Sequence, residues 1–259
     1  MGSIQNQTVL ITGASSGIGA ACARAFAQTG ARLILAARRL DRLQSLVTEL
    51  NHLTAIDSHV LQLDVSDRAQ VESTIRALPE EWSSVDILVN NAGLSRGLDP
   101  LQTGEIEDWE EMIDTNLKGL LYVTRALLPG MVERDRGHVI NIGSIAGHEA
   151  YARGNVYCAT KAAVRSLSRG IKMDVFGTAI RVSCVDPGLV ETEFSQVRFR
   201  GDTPRAEKVY AGTTPLTPED IAEIVVFCAT RPPHVNISEV LVVCTDQAAA
   251  TMVYRRNEA

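Results

Sequence analysis

Short apolar runs rich in β-branched residues recur along the chain, and longer stretches with apolar positions at helical spacing lie between most of them. The runs Thr8 to Thr12, Arg32 to Ala37, Val60 to Leu63, Ile87 to Asn90, His138 to Ile142, Ile180 to Val185 and Val240 to Val243 read as strands. Helices are predicted over Ala20 to Gln28, Leu40 to Leu50, Arg68 to Leu78, Ile106 to Glu133, Val156 to Phe176 and Pro218 to Ala229, with a kink or brief break at Pro129-Gly130. Near-continuous apolar strands alternating with amphipathic helices imply a parallel sheet covered on both faces. Right-handed crossovers then give an α/β, doubly wound, Rossmann-like sheet of about seven strands. No linker divides the sequence, so residues 1–259 are read as one domain. The segment Pro187 to Pro215 has no clear period and is too long for an ordinary connection, which marks it as a substrate lid.

In an open parallel sheet, ligands sit at the carboxyl ends of the strands, and Gly13, Asp64, Asn91, Ser144 and Pro187 each follow a predicted strand. The first strand runs into G-A-S-S-G-I-G and then a helix. In that arrangement Gly13 permits a tight turn, Gly17 lets backbone N–H groups approach a pyrophosphate, and Gly19 lets the helix pack on the strand. An NAD site usually holds the ribose 2′-hydroxyl with an acid about 20 residues further on. Here Ala36 and Ala37 end the second strand and Arg38-Arg39 follow, which suits the 2′-phosphate of NADP.

Tyr157 and Lys161 are four apart on a predicted helix, so both side chains share one face. A free phenol has a pKa of about 10, and a nearby buried ammonium supplies part of what makes it an acid/base near neutrality. Ser144, at the end of the strand His138 to Ile142, is placed to hydrogen-bond the same substrate oxygen.

Composition narrows the partners. A net charge of −6 argues against nucleic acid or an anionic membrane as the main partner. No apolar run approaches the ~20 residues needed to cross a bilayer, and the first residues lack the basic and apolar regions of a signal peptide. Five scattered cysteines without a C-x-x-C motif fit a reducing compartment, read as the cytoplasm. The five histidines show no pairing at metal-ligand spacing, so no metal site is expected.

Taken together, Thr12-Gly13-x-x-x-Gly17-x-Gly19, Asp64-Val65, Asn90-Asn91-Ala92-Gly93, Asn116, Ser144, Tyr157-x-x-x-Lys161 and Pro187-Gly188-x-x-x-Thr192 resemble the short-chain dehydrogenase/reductase family. The resemblance implies that Tyr157 is the general acid/base and that Lys161 binds the nicotinamide ribose while lowering the Tyr157 pKa. It implies that Ser144 orients the substrate oxygen and that Asn116 positions a water connecting Lys161 to solvent. It also implies cofactor contacts from Ser15, Ser16 and Ile18 in the glycine loop and from Asp64-Val65 at the adenine. Asn91, with Ala92 and Gly93, should meet the adjacent ribose, and Pro187, Gly188, Val190 and Thr192 the nicotinamide carboxamide. A homo-oligomer, a tetramer, is implied, with the helical stretches Ile106 to Glu133 and Val156 to Phe176 packed on symmetry mates.

Within the family the chain is similar to the NADP-dependent 3-hydroxy acid dehydrogenases, which implies a small anionic substrate such as serine, allo-threonine or 3-hydroxypropionate. Arg153 departs from that subgroup, which more often has a small residue there. The lid is locally basic, with Arg198, Arg200, Arg205 and Lys208 against Asp202 and Glu207 in a chain that is acidic overall. Arg198 is the expected reader of a substrate carboxylate and Arg153 the second candidate. The alternatives are a reductase of bulkier ketones or acyl-carrier substrates, which favours an apolar lid, and a non-enzymatic NADP-binding sensor, which needs only the glycine loop.

Overall fold

A computed structural model describes residues 3–256. Its seven strands are β1 (Thr8–Thr12), β2 (Arg32–Ala37), β3 (Ser58–Gln62), β4 (Ile87–Asn90), β5 (His138–Ile142), β6 (Arg181–Pro187) and β7 (Glu239–Val242). They form one sheet in the order β3-β2-β1-β4-β5-β6-β7. Every pairing is parallel. The order reverses between β1 and β4, which opens a crevice where the two halves of the sheet diverge.

The helices are α1 (Gly17–Ala27), α2 (Leu40–Leu53), α3 (Arg68–Arg76), α4 (Glu80–Ser83), α5 (Ile106–Ile113), α6 (Leu120–Glu133), α7 (Asn155–Asp174), α8 (Phe194–Arg198), α9 (Thr203–Glu207) and α10 (Pro218–Ala229). Alternate strand residues face opposite ways, so the sheet carries two apolar cores. Val9, Ile11, Leu33, Leu35 and Val185 pack with Phe26 of α1, Leu43 of α2 and Val225 of α10. Leu10, Ile34, Leu88, Val139 and Val182 pack with Val71 of α3, Val123 and Met131 of α6 and Ile171 of α7. Each fully buried large side chain contributes about 1.5–3 kcal/mol, and burial on both faces explains why these strands read as unbroken apolar runs. No helix among the described residues is long and apolar enough to cross a membrane.

Two departures from the expected elements bear on the site. The expected long helical region from Ile106 to Glu133 is continuous but widens into a π-helical turn at Asp114–Gly119, whereas α6 passes through Pro129 without interruption. The missing proline N–H costs one backbone bond, and the flanking Leu127 and Met131 are anchored in the core, so the helix continues across it. The π turn lies against Val65: a β-carbon on Gly119 would stand 2.7 Å from Val65 Cγ2. It also presents Asn116, which grips Leu94 through Oδ1 from its N–H and Nδ2 to its carbonyl, both at 2.8 Å. The second departure is the Pro187 to Pro215 segment, which holds two short helices, α8 and α9. Each is a single turn formed on local contacts, too short to show a period.

Below the carboxyl edge of the sheet, a chain of buried amides and hydroxyls ties four elements together. Asn90 Nδ2 donates to Thr124 Oγ1 and to Asn141 Oδ1, both at 2.9 Å, and Asn141 Nδ2 donates to Ser168 Oγ at 2.9 Å. The chain thus joins α6, β4, β5 and α7 directly under the strand ends that carry the site. Asn141→Ala leaves one Asn90 donor position without a partner in a dry interior and removes the donor to Ser168 Oγ, which keeps its bond to the Val164 carbonyl at 2.8 Å. It is expected to lower the unfolding free energy by about 1–3 kcal/mol in urea denaturation, and an unchanged midpoint would show that the network carries no net stability.

Candidate active site

The helix α1 begins at Gly17, three residues before the periodicity placed it, so the glycine loop forms its first turn. Gly13 and Gly17 have φ of +66° and +51°, which other residues rarely adopt. Gly19 serves contact instead: a β-carbon there would stand 2.4 Å from the Gly13 carbonyl oxygen. Ser16, the residue before the helix, makes no side-chain cap, so the first N–H groups of α1 remain open toward the crevice.

That crevice is a cavity of about 330 Å³ between the carboxyl ends of the strands and the segment after β6. Gly13, Ser15, Ser16, Gly17, Ile18, Arg38, Arg39, Asp64, Val65, Asn91, Ala92, Gly93, Ser144, Tyr157, Lys161, Pro187, Gly188, Val190 and Thr192 all line it. Gly19, Asn116, Arg198 and Arg153 do not. Arg153 is exposed, in the left-handed region at φ +67°, and borders a separate small cleft beside Asp99 and Glu105. Few side chains adopt that conformation readily, and the cleft that Arg153 borders also includes Tyr157, although Arg153 does not line the larger cavity. Asn91 lines the cavity, but its side chain is spent on the loop, donating from Nδ2 to the carbonyls of Thr12 at 2.9 Å and Gly13 at 3.2 Å. It therefore braces the glycine turn and leaves no free side-chain donor for a ribose.

At the mouth of the glycine loop, Arg39 donates to Ser16 Oγ at 2.7 Å and to Ser15 Oγ at 3.1 Å. Arg38 is mostly exposed and stands 4.0 Å from Asp64. Neither arginine pairs with Asp41. Glu193 closes the group, accepting from Arg39 at 3.2 Å and from Arg42 at 2.7 Å. These partners hold the Glu193 carboxyl below its ordinary range, the Arg42 hydrogen bond first. Glu193 and Phe194 line the cavity although the sequence reading passed over them; the adjoining Thr192 was the available signal.

Deeper in, Tyr157, Lys161 and Ser144 are all less than a tenth exposed. Burial pushes the Tyr157 phenol above its ordinary value, while the Arg198 charge and the Ser144 hydroxyl pull it down. The cation over the phenol is thus Arg198, whose guanidinium carbon stands 5.2 Å from the centres of both the Tyr157 and the Phe194 rings. Lys161, expected beside the phenol, lies 6.0 Å from the Tyr157 ring centre and donates to the Ile142 carbonyl at 2.8 Å. Burial lowers the Lys161 pKa to about 8. Asn116 sits behind it: a β-carbon on Gly93 would lie 3.2 Å from Asn116 Oδ1 and 3.6 Å from Lys161 Nζ.

Arg198 is fixed rather than solvated. Its Nε donates to Ser95 Oγ at 2.9 Å and its Nη2 to the Tyr151 hydroxyl at 2.8 Å. Burial raises Tyr151 to about 12, so that partner stays a neutral phenol. The backbone around Arg198 is clamped as well. Arg96 donates to the Val197 carbonyl at 2.6 Å, and the Gly97 N–H donates to the Arg198 carbonyl at 3.1 Å. Arg96 is itself paired with Glu111 at 2.6 Å.

The arrangement can hold a dinucleotide along the strand ends and present a phenol and a hydroxyl to a small substrate at its nicotinamide end, with the Arg198 guanidinium beside the phenol ring. An α/β oxidoreductase is the class that this cavity and this phenol define. The chain belongs to the short-chain dehydrogenase family, whose model matches residues 7–202. It is 53% identical over 252 residues to the NADP-dependent 3-hydroxy acid dehydrogenase YdfG of Salmonella typhi, covering 96% of this chain and 99% of that one. It is 44% identical over 257 residues to the NADP-dependent 3-hydroxy acid dehydrogenase of Schizosaccharomyces pombe, covering 99% of each. A solved closed form of serine dehydrogenase complexed with NADP+ is 50% identical with a TM-score of 0.91, covering 97% of this chain and all of that one. Serine dehydrogenase from Escherichia coli is 46% identical with a TM-score of 0.81, covering 93% of this chain and all of the other.

Proposed function

We propose that this protein oxidises small 3-hydroxy acids of the serine, allo-threonine and 3-hydroxypropionate class with NADP+, and reduces the corresponding keto acids with NADPH. The observation that carries the reading is Arg198, a guanidinium fixed over the face of the Tyr157 ring by Ser95 and Tyr151. Its Nη1 makes no hydrogen bond among the described residues and is available to a carboxylate. The names of the relatives at about half identity support the same substrate class and the same cofactor.

The residues of the cavity fit NADP. The uncapped α1 N-terminus and the close approach allowed by Gly17 would hold its pyrophosphate, and Ser15, Arg38 and Arg39 its 2′-phosphate. Lys161 would hold the nicotinamide ribose, and the turn from Pro187 to Thr192 the carboxamide. NADP, when bound, supplies or accepts the hydride. Tyr157 takes the hydroxyl proton of the substrate as the alcohol is oxidised and returns it in the reverse direction. Ser144 holds the same oxygen by a hydrogen bond, and the Arg198 charge favours the phenolate that the oxidation step needs. Phe194 and Val197, from the lid, cover the reacting end and exclude water.

A reductase of bulky ketones is the weaker reading, because Arg198 and Phe194 crowd the space over Tyr157 that a large apolar group would need. All five cysteines are buried and free, in keeping with work in the reducing cytoplasm. We further propose a homotetramer built on the two helices that border the site. Leu121 and Val132 on α6, Met173 on α7 and Phe176 just beyond it are exposed, the last at 88%. A run of exposed apolar side chains on neighbouring helices points to a symmetric contact.

Three outcomes test these assignments. Arg198→Ala is expected to lower kcat/KM for serine or 3-hydroxypropionate about 10- to 100-fold, the loss of one charge-assisted contact, while scarcely affecting a neutral alcohol of similar size. An equal loss on both would show that Arg198 shapes the lid without reading the carboxylate. Arg39→Ala is expected to weaken NADP+ far more than NAD+ in parallel fluorescence titrations, and an unchanged ratio would remove the 2′-phosphate from that site. Light scattering at micromolar concentration is expected to give the mass of four chains, and a monomer would reject the assembly.

A further inference from the structure

Behind the Tyr157 and Lys161 pair lies a buried acid that does not line the cavity. Asp186, on β6, is 0% exposed. Its Oδ2 is 2.9 Å from His148 Nε2, and its Oδ1 accepts from the Cys184 thiol at 3.1 Å. Asp186 Oδ1 also stands 1.7 Å from where a β-carbon of Gly143 would be, so the carboxylate occupies the space of the missing side chain. On the preceding residue, the Ile142 carbonyl accepts from Lys161 Nζ at 2.8 Å. Ammonium and carboxylate therefore flank one stretch of backbone, Ile142-Gly143, immediately before Ser144.

Lys161 is 6% exposed and makes no ion pair among the described residues. A buried ammonium without a nearby countercharge gives up its proton. Every charged or titratable group around the pair can be named. From α7 come Tyr157, Lys161, Arg165 and Arg169, spaced four apart along one helical face. From β6 come Cys184 and Asp186. Burial and the Asp186 charge push the Cys184 thiol far up, so it remains a neutral donor and the negative charge belongs to Asp186. His148 stands between two acids, since Glu239 Oε1 at the start of β7 is 3.6 Å from His148 Nε2. Glu239 is itself held by Arg165 at 3.0 Å and Arg169 at 2.9 Å. Those two arginines satisfy Glu239 and disfavour a metal ion among His148, Asp186 and Glu239.

We propose that Asp186, oriented by His148, is the countercharge that keeps Lys161 protonated, and so acts as a positioning residue for the cofactor ribose and the proton chemistry at Tyr157. The proposal rests on the reading that Lys161 serves that chemistry. A nearby carboxylate raises the Lys161 pKa, so removing its charge makes the ammonium disappear at lower pH. Negative charge at Cys184 and then at Asp186 would oppose the burial of Lys161 with this sign, and because the Cys184 thiol stays neutral beside the carboxylate, Asp186 is the group that supplies it.

The test is a pH series of NADPH fluorescence titrations together with kcat/KM for keto-acid reduction. The wild type is expected to lose NADPH affinity and kcat/KM on the alkaline side as Lys161 deprotonates near pH 8. In Asp186→Asn both losses are expected about one pH unit lower, with values near wild type at pH 6. His148→Leu strips the carboxylate of a donor and is expected to shift the limb in the same direction by less, whereas His148→Gln, which still donates, brings it back toward wild type. A uniform loss at every pH, or an unmoved alkaline limb in both Asp186→Asn and His148→Leu, would overturn the proposal. So would activity lost to a chelator and restored by zinc. NADPH binding requires no turnover, so the two readings separate. Turnover retained by Tyr157→Phe would reject the assigned acid/base, while the binding limb still decides the role of Asp186.

Discussion

A lysine ammonium held out of water is the constraint around which this site is arranged. Lys161 sits on α7 one turn after Tyr157, 6% exposed, and its only hydrogen bond among the described residues is to the Ile142 carbonyl at the end of β5. That bond requires α7 to lie close across the strand end, and the small residues there permit it. A β-carbon on Gly147 would stand 2.7 Å from the Lys161 carbonyl oxygen, and one on Gly143 would collide with Asp186. The polar chain from Thr124 through Asn90 and Asn141 to Ser168 fixes the same helix and strands from below. In a dry interior a made hydrogen bond costs little, whereas breaking the bond from Asn90 to Asn141 leaves a buried amide donor without a partner, which is why the arrangement is narrow.

The segment after β6 is seated by arginines at both ends. Glu193 pairs with Arg39 and Arg42 beside the glycine loop, while Arg96 and Arg198 anchor α8 to the loop after β4 and to Tyr151. Arg200 pairs with Asp108 on α5 further out. Part of the charge of this basic segment is neutralised against the body of the protein, and Arg198 Nη1 makes no hydrogen bond among the described residues. Removing water from such a site strengthens the guanidinium's hold on an anion, and that gain suits a substrate with little apolar area to bury.

Two cations stand beside the Tyr157 ring in this structure, Arg198 and Lys161. The sequence spacing suggested one ammonium working on one phenol, but the Arg198 guanidinium lies nearer the Tyr157 ring than the Lys161 ammonium does. A carboxylate bound to Arg198 would partly neutralise the charge that favours the phenolate, so substrate recognition and acid strength are coupled through one side chain.

The sequence by itself determined the sheet, its parallel sense, the glycine loop and the phenol and lysine on one helical face. Each of these rests on local pattern: strands buried on both faces are apolar throughout, positive φ demands glycine, and residues four apart share a helical face. Only the tertiary structure decided what depends on distant residues meeting. The π turn at Asp114–Gly119 follows from contact with Val65 and Leu94, and it was invisible beside the more conspicuous Pro129. Asn91 bonds to Thr12 and Gly13, and Arg153, with a left-handed backbone, borders a separate cleft. His148, Asp186 and Glu239 lie far apart along the chain and carry no shared motif, yet parallel strands β5, β6 and β7 bring them within 4.8 Å of one another. Long-range pairing of buried charge is set by packing rather than by spacing, so no local pattern in the sequence could have announced it.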